Sequence, residues 1–171
     1  MRAASSSIND LGRVGPPFLH WSPEGAENVE KDIKTRFDES LVVRRINGSA
    51  ARDLEELGHE LGKALGRPIA GNQAALDDVM SDVHWHAGKR SPAATVYVIK
   101  NPASLLRSLP SGMALWGTKA ESWARAWARS VNEGQSWDHD PVPLHFIHCA
   151  DKMPLSLRSL PKMNCFEIGK Q

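Results

Sequence analysis

Acidic side chains cluster after a Gly-Asn turn near the middle of the chain. Gly71 and Asn72 precede a predicted helix, on which Asp77, Asp78 and Asp82 fall within little more than one turn and share an exposed flank. Like charges four residues apart on a helix repel each other by roughly 0.2–0.5 kcal/mol. Two interpretations stay open: a solvated acidic face near a helix N-terminus, which the helix dipole favours, or a surface that pairs with cationic groups of a partner.

Histidine and cysteine side chains offer a second kind of chemistry, a metal site or a thiol nucleophile. His84 and His86 are two residues apart, His145 and His148 are three apart, and Cys149 follows directly. In a predicted strand, the second pair would point to opposite faces of the sheet. No His-Glu-x-x-His, Cys-x-x-Cys or Gly-x-Ser-x-Gly spacing occurs. We therefore expect no metal ion, no cofactor and no catalytic residue, and keep a small metal- or thiol-dependent hydrolase as the alternative.

Composition limits the classes of partner. The chain has 171 residues, of which 41% are hydrophobic and 24% are charged, as in ordinary folded domains. Lys and Arg number 21 against 20 Asp and Glu, so the net charge of +1 indicates neither direct binding of nucleic acid nor binding to a membrane surface. The N-terminus lacks the apolar run of a signal peptide, and the chain has two cysteines. We expect a cytoplasmic protein.

Alternating strand and helix patterns predict an α/β fold with a small parallel sheet. Apolar, β-branched runs predict strands at 41–46, 95–99 and 143–149. Helical periodicity predicts helices over 50–65, 75–83 and 118–133. The same patterns divide the chain into a partly ordered N-terminal extension (1–40), one domain (41–150) and a C-terminal tail (151–171).

The acidic segment resembles the signature of the barstar family. Asn72-Gln-Ala-Ala-Leu-Asp-Asp78 is similar to the family's Asn, aromatic or Leu, Asp, Ala, Leu, Asp or Trp, Asp string, with Ala74 where the family commonly has Asp. Upstream, Ile46-Asn-Gly48 follows a strand and precedes a leucine-rich helix that ends before Pro68, in the same order as in barstar-like proteins. The likeness covers about 41–150 and is strongest before residue 85.

This resemblance implies a fold and a function. The fold would be barstar-like, with a small three-stranded parallel sheet packed against helices. The chain would be an intracellular inhibitor, not an enzyme, that occludes the active site of a bacterial toxin, a ribonuclease, as a monomer in a 1:1 complex. A barstar-like module with a non-nuclease toxin partner is the other possibility. The partner-binding residues would be Gly71, Asn72, Asp77, Asp78, Asp82 and Trp85.

Overall fold

A parallel β-sheet forms the centre of the structure, a computed structural model. The residues described are 5–6, 8–37, 40–83, 92–136, 138–158, 160 and 164–166. The strands are β1 (Ser5–Ser6), β2 (Leu19–Ser22), β3 (Leu41–Asn47), β4 (Ala94–Lys100), β5 (Leu144–Cys149) and β6 (Asn164–Phe166). The α-helices are α1 (Ala26–Arg36), α2 (Leu54–Leu65), α3 (Gln73–Ser81), α4 (Gly112–Trp127) and α5 (Leu155–Arg158). Short 3-10 helices span Ile8–Gly12, Gly48–Ala50 and Pro102–Ser104.

All six strands are parallel and lie side by side in the order β1-β6-β2-β5-β4-β3. Four of them have four or more residues, and the two shortest, β1 and β6, extend the sheet at one edge. This arrangement confirms the α/β class and the parallel sheet. The strands predicted at 41–46, 95–99 and 143–149 correspond to β3, β4 and β5, which are neighbours in that order.

The prediction of a three-stranded sheet is wrong, because β2 pairs with β5 over its whole length. The register runs from Leu19 opposite Phe146 to Ser22 opposite Cys149. β2 has only four residues, Leu-His-Trp-Ser, and carries no apolar run that would predict a strand. Residues 1–40, predicted as a partly ordered extension, contribute β1 and β2 to the sheet and α1 to one of its faces, and residues 151–171 contribute β6 to the sheet and the short helix α5.

Two hydrophobic clusters cover the two faces of the sheet. On one face, α2, α3 and α4 pack against residues such as Tyr97 and Phe146. On the other, Val29 and Ile33 of α1 pack against a cluster that includes Val98. Successive strand residues point to opposite faces, so a strand covered on both sides is apolar at nearly every position. That is the pattern of β4, whereas β5 is equally buried but carries His145 and His148 among its apolar residues. No helix among the described residues is long and apolar enough to cross a membrane.

The helices differ from their predicted bounds for local reasons. α2 begins after Asp53, whose side chain accepts a hydrogen bond from the Glu56 N–H at 2.9 Å, and ends at Gly66, which has a φ of 72°. The predicted helix at 118–133 is shifted, because α4 starts at Gly112 and ends at Trp127. The Trp127 carbonyl accepts a hydrogen bond from the Val142 N–H at 2.9 Å, which joins the helix end to the approach to β5.

Candidate functional site

The loop before α3 is pressed closely against α2. A Cβ atom on Gly71 would lie 2.1 Å from Cα of Glu55, and one on Gly58 would lie 2.8 Å from Cα of Gly71. Real Cβ atoms essentially never come this close to backbone, so glycine permits the contact. The predicted site residue Gly71 therefore has a packing role, which fixes where the next helix starts.

Asn72 caps the N-terminus of α3. Its backbone is extended, and its side-chain Oδ1 accepts a hydrogen bond from the Ala75 N–H at 3.0 Å. This bond satisfies one of the four amide donors that every helix leaves unpaired at its start. Asn72 is itself exposed, at the start of the helix that carries Asp78.

Asp77 is held by two donors from α4. Its Oδ2 accepts from Lys119 Nζ at 2.5 Å, and its Oδ1 accepts from Trp123 Nε1 at 2.9 Å. The Asp77 side chain is 36% exposed and that of Lys119 is 22% exposed, so the ion pair is partly withdrawn from solvent. Asp77 therefore joins α3 to α4, and the three acids do not share one exposed flank.

Asp78 is the acid that α3 presents to solvent. It is exposed, and its side chain makes no hydrogen bond or ion pair with any residue in the described part of the chain. Asp82, which follows the helix as its C-cap residue, is partly buried and has an interaction partner of its own. The structure thus separates three acids that are close in sequence into one that is anchored, one that is directed to solvent and one at the helix end.

The buried side of α3 is held by the core. Leu76, Val79 and Met80 are buried, and the Met80 carbonyl accepts a hydrogen bond from Trp127 Nε1 at 2.9 Å. The Tyr97 hydroxyl lies 3.9 Å from the Met80 sulfur. Core contacts and the Asp77 bonds together leave the side of α3 that carries Asp78 as its open face.

Trp85, predicted at the edge of the partner surface, lies outside the described residues, as do His84 and His86 of the alternative hydrolase site.

An open groove of about 1180 Å³ runs along α2 beside the Gly71 loop. Basic and acidic side chains line it in equal number, and two of the basic ones form ion pairs, one with an acid of the lining and one with an acid just outside it. Arg52 forms an ion pair with Glu56, and Lys63 Nζ lies 2.7 Å from Oε1 of Glu60. Because these charges cancel in pairs, the groove contributes shape rather than net charge next to α3.

Lys119 and Trp123 are the residues of this region that sequence analysis missed. The spacing of Trp123 and Trp127 along α4 indicates a core-facing stripe, and both are buried. The indole N–H of Trp123 nevertheless binds a carboxylate 46 residues away. The sequence does place Lys119 four residues before Trp123, on the same face of the helix, which indicates a polar position beside the core-facing stripe. Spacing within α4 does not reveal that both residues bind Asp77 of α3.

The histidines of the alternative hydrolase lie in the core. His145 and His148 are both buried and point to opposite faces of the sheet, as their spacing predicts. His148 bonds to Trp116 of α4 at 2.9 Å, whereas Nδ1 of His145 lies 3.0 Å from Nε2 of His20. No group of three or more His, Cys, Asp or Glu side chains among the described residues could hold a metal ion.

Cys149 is not placed like an activated nucleophile. It is 6% exposed, and its sulfur lies 4.0 Å from the Ile147 carbonyl oxygen. Burial, together with the negative charges of Glu30 and Glu27, raises the pKa of the thiol to about 12. Catalytic thiols instead have depressed pKa values beside cationic groups, so the environment of Cys149 is typical of a structural residue.

Comparisons with known protein families, with curated proteins and with solved structures found no match to this chain. A function is therefore inferred from the geometry of its own residues and from the resemblance in the segment around Asp78.

Proposed function

We propose that this chain is a barstar-like inhibitor that binds a bacterial toxin, a ribonuclease, and covers its active site with α3 and the preceding loop. The observation that carries the proposal is the state of Asp78. This carboxylate is exposed, and unpaired within the described part of the chain, on a helix whose other sides are held by the core and by α4. A carboxylate on a rigid element can bind its partner without first paying the full entropic cost of being ordered.

Ribonuclease clefts suit such a carboxylate. They bind the phosphates of RNA through Arg, Lys and His side chains, and a carboxylate can take the place of a phosphate in charge-assisted hydrogen bonds to those groups. Charge pairs buried at the centre of an interface can dominate its affinity, as the barnase–barstar pair, a worked case of this logic, illustrates. Asn72 would add a neutral polar contact beside Asp78, and Gly71 would set the position of both.

The order of elements supports the barstar-like part of the proposal. β3, α2, α3, β4, α4 and β5 follow one another along the chain, and β3, β4 and β5 are adjacent and parallel. This is the arrangement that the resemblance implies for residues 41–150. The additional strands β1, β2 and β6 lie on the β5 side of that unit, away from β3.

The test is capture of a partner on immobilised full-length chain from a lysate of the source organism, followed by assay of the captured protein for RNA cleavage. We expect a ribonuclease that the chain silences at a 1:1 ratio, with association slowed by salt. Asp78→Asn should weaken the complex by about 2 kcal/mol or more, roughly thirtyfold in Kd.

Asp151→Asn is the matched control, because Asp151 is also exposed but lies beyond β5 rather than on α3. It should leave the affinity unchanged. Equal affinities of Asp78→Asn and wild type for the captured ribonuclease would remove Asp78 from the site. Capture of a toxin that is not a nuclease would keep the inhibitor role and change the target.

A further inference from the structure

We infer that Lys119 and Trp123 of α4 are positioning residues for the partner-binding face of α3, acting through Asp77. The inference rests on the proposed function, because it concerns how Asp78 is presented to a partner. Neither residue belongs to the acidic segment. Each acts on that segment across the helix–helix contact.

The geometry of the contact defines the orientation of the Asp77 carboxylate. Lys119 Nζ donates a hydrogen bond to one oxygen at 2.5 Å, and Trp123 Nε1 donates to the other at 2.9 Å. Two donors on separate oxygens restrain both the position and the rotation of the carboxylate, which a single ion pair would not do. Trp123 is 2% exposed and in contact with the core, so its N–H is a fixed donor.

Helix geometry transmits this restraint to Asp78. Successive residues of an α-helix are about 100° apart around the axis, so a fixed direction for Asp77 fixes that of the next residue. Asp77 faces α4, and Asp78 is directed to solvent. On the buried side of α3, Leu76, Val79 and Met80 pack in the core and the Met80 carbonyl accepts a hydrogen bond from Trp127, whereas the Asp77 bonds to Lys119 and Trp123 hold the polar flank next to Asp78.

α3 needs such support because it is short. It has nine residues, and helices of this length are marginal without tertiary contacts. Two of the nine are Asp, which has mediocre helix propensity. Without the donors of Lys119 and Trp123, Asp77 would lose both of its described hydrogen bonds to α4. This flank of α3 would then separate from α4 more readily.

Lys119 also determines which acid is available. Its charge neutralises Asp77, so that Asp78 is the carboxylate that α3 offers without a counter-ion among the described residues. A partner with one well-placed Arg or Lys opposite Asp78 fits this surface better than a partner that requires both neighbouring acids.

The first experiment uses the free, full-length chain and measures amide hydrogen exchange. Trp123→Phe removes the indole N–H and keeps an aromatic ring, and Lys119→Met removes the charge and keeps the stem. Each should raise exchange of the α3 amides by about tenfold or more relative to the α2 amides of the same variant, so that any general loss of stability from the substitution cancels in the comparison. Lys119→Arg should restore the wild-type exchange of α3.

Glu121→Gln is the matched control on the same helix. It breaks the ion pair of Glu121 with Arg125, which involves no residue of α3, and should leave α3 exchange unchanged. Unchanged α3 exchange in both Trp123→Phe and Lys119→Met would overturn the inference.

The second experiment is a double-mutant cycle on binding to the ribonuclease captured above. If Lys119 and Trp123 position Asp78, Asp78→Asn should weaken binding about tenfold less in the Trp123→Phe chain than in the wild-type chain. A purely structural role would lower the melting temperature and leave the Asp78→Asn ratio the same in both backgrounds, which would overturn the inference.

The two experiments distinguish the proposed binding site at Asp78 from the positioning role of Lys119 and Trp123. If Asp78→Asn has no effect on binding in the wild-type chain, the proposed site fails whatever the exchange shows. If Asp78→Asn weakens binding equally in both chains, the proposed site stands and the positioning role fails.

Discussion

The indole N–H of Trp116 donates a hydrogen bond to Nε2 of His148 across 2.9 Å in the core of the protein. An indole can only donate, so Nε2 of His148 carries no proton. Its Nδ1 therefore bears the proton and donates it to the His20 carbonyl at 2.9 Å. One neutral imidazole thus connects α4, β5 and β2, and its protonation would break the bond to Trp116.

This relationship predicts that acid destabilises the fold through its buried histidines. Burial lowers the pKa of His148 and of His145 to about 4, and burial with the nearby His145 lowers the pKa of His20 well below its usual value. Well above pH 6.5, all three are neutral in both the folded and the unfolded chain. Below that pH, the unfolded chain binds protons first, so the free energy of unfolding falls by about 1.4 kcal/mol per pH unit for each histidine.

Urea unfolding between pH 7.5 and 5.0 measures this slope. His148→Gln should reduce the slope by about one proton, since the glutamine amide can accept from Trp116 and donate to His20 without titrating. His59→Gln, on the exposed surface of α2 and outside this buried network, is the control for the substitution of a histidine by glutamine. A wild-type free energy of unfolding that stays flat from pH 6.5 to 5.0 would contradict the buried, neutral state of these histidines.

A second prediction concerns the loop that starts α3. Gly71→Ala should destabilise the chain by about 1–3 kcal/mol, because the new methyl group would overlap the α2 backbone at Glu55 and push the loop away. The loop leads directly into Asn72, so binding to the captured ribonuclease should weaken as well. Thermal unfolding and titration of the partner measure the two effects.

Gly12→Ala provides the comparison for this substitution. No described atom lies within 4 Å of the place that an alanine methyl would take at Gly12, and its φ is not positive, so alanine is accommodated there. Such a change should be neutral or stabilise by about 0.4–1 kcal/mol through the unfolded chain. If Gly71→Ala behaves like Gly12→Ala, the loop does not depend on close contact with α2.

The parts of the fold that were predicted from sequence are those with a strong local pattern. β3 and β4 contain apolar, β-branched runs, β5 alternates apolar residues with two histidines, and α2 carries leucines at helical spacing between an Asp cap and a Gly stop. β2 was missed because only four residues form it and because its stability comes from pairing with β5 more than 100 residues away. No local pattern encodes such a partner.

The candidate site shows the same limit at the level of single residues. Asp77 and Asp78 are neighbours of identical chemistry, and spacing placed both on one acidic surface. In the structure, the Asp77 carboxylate accepts hydrogen bonds from Lys119 and Trp123, whereas Asp78 is exposed. Which of two adjacent acids is anchored depends on the rotation of α3 against α4, a tertiary property that the sequence of α3 does not contain.

The last prediction tests the thiol-hydrolase alternative. Cys165→Ser leaves Cys149 as the only cysteine of the chain. With burial raising its pKa to about 12, the Cys149 thiol should be about 10⁻⁴ ionised at pH 8, against roughly a quarter for a free cysteine. The native Cys165→Ser chain should therefore react with a disulfide reagent such as DTNB at least a hundredfold more slowly than in 6 M urea, because the thiolate is the reacting species. The Cys149→Ser/Cys165→Ser chain, which has no cysteine, serves as the reference for any labelling that does not come from Cys149. Rapid labelling of the native Cys165→Ser chain would show an ionised, accessible thiol and would favour nucleophilic chemistry at β5 over the inhibitor role.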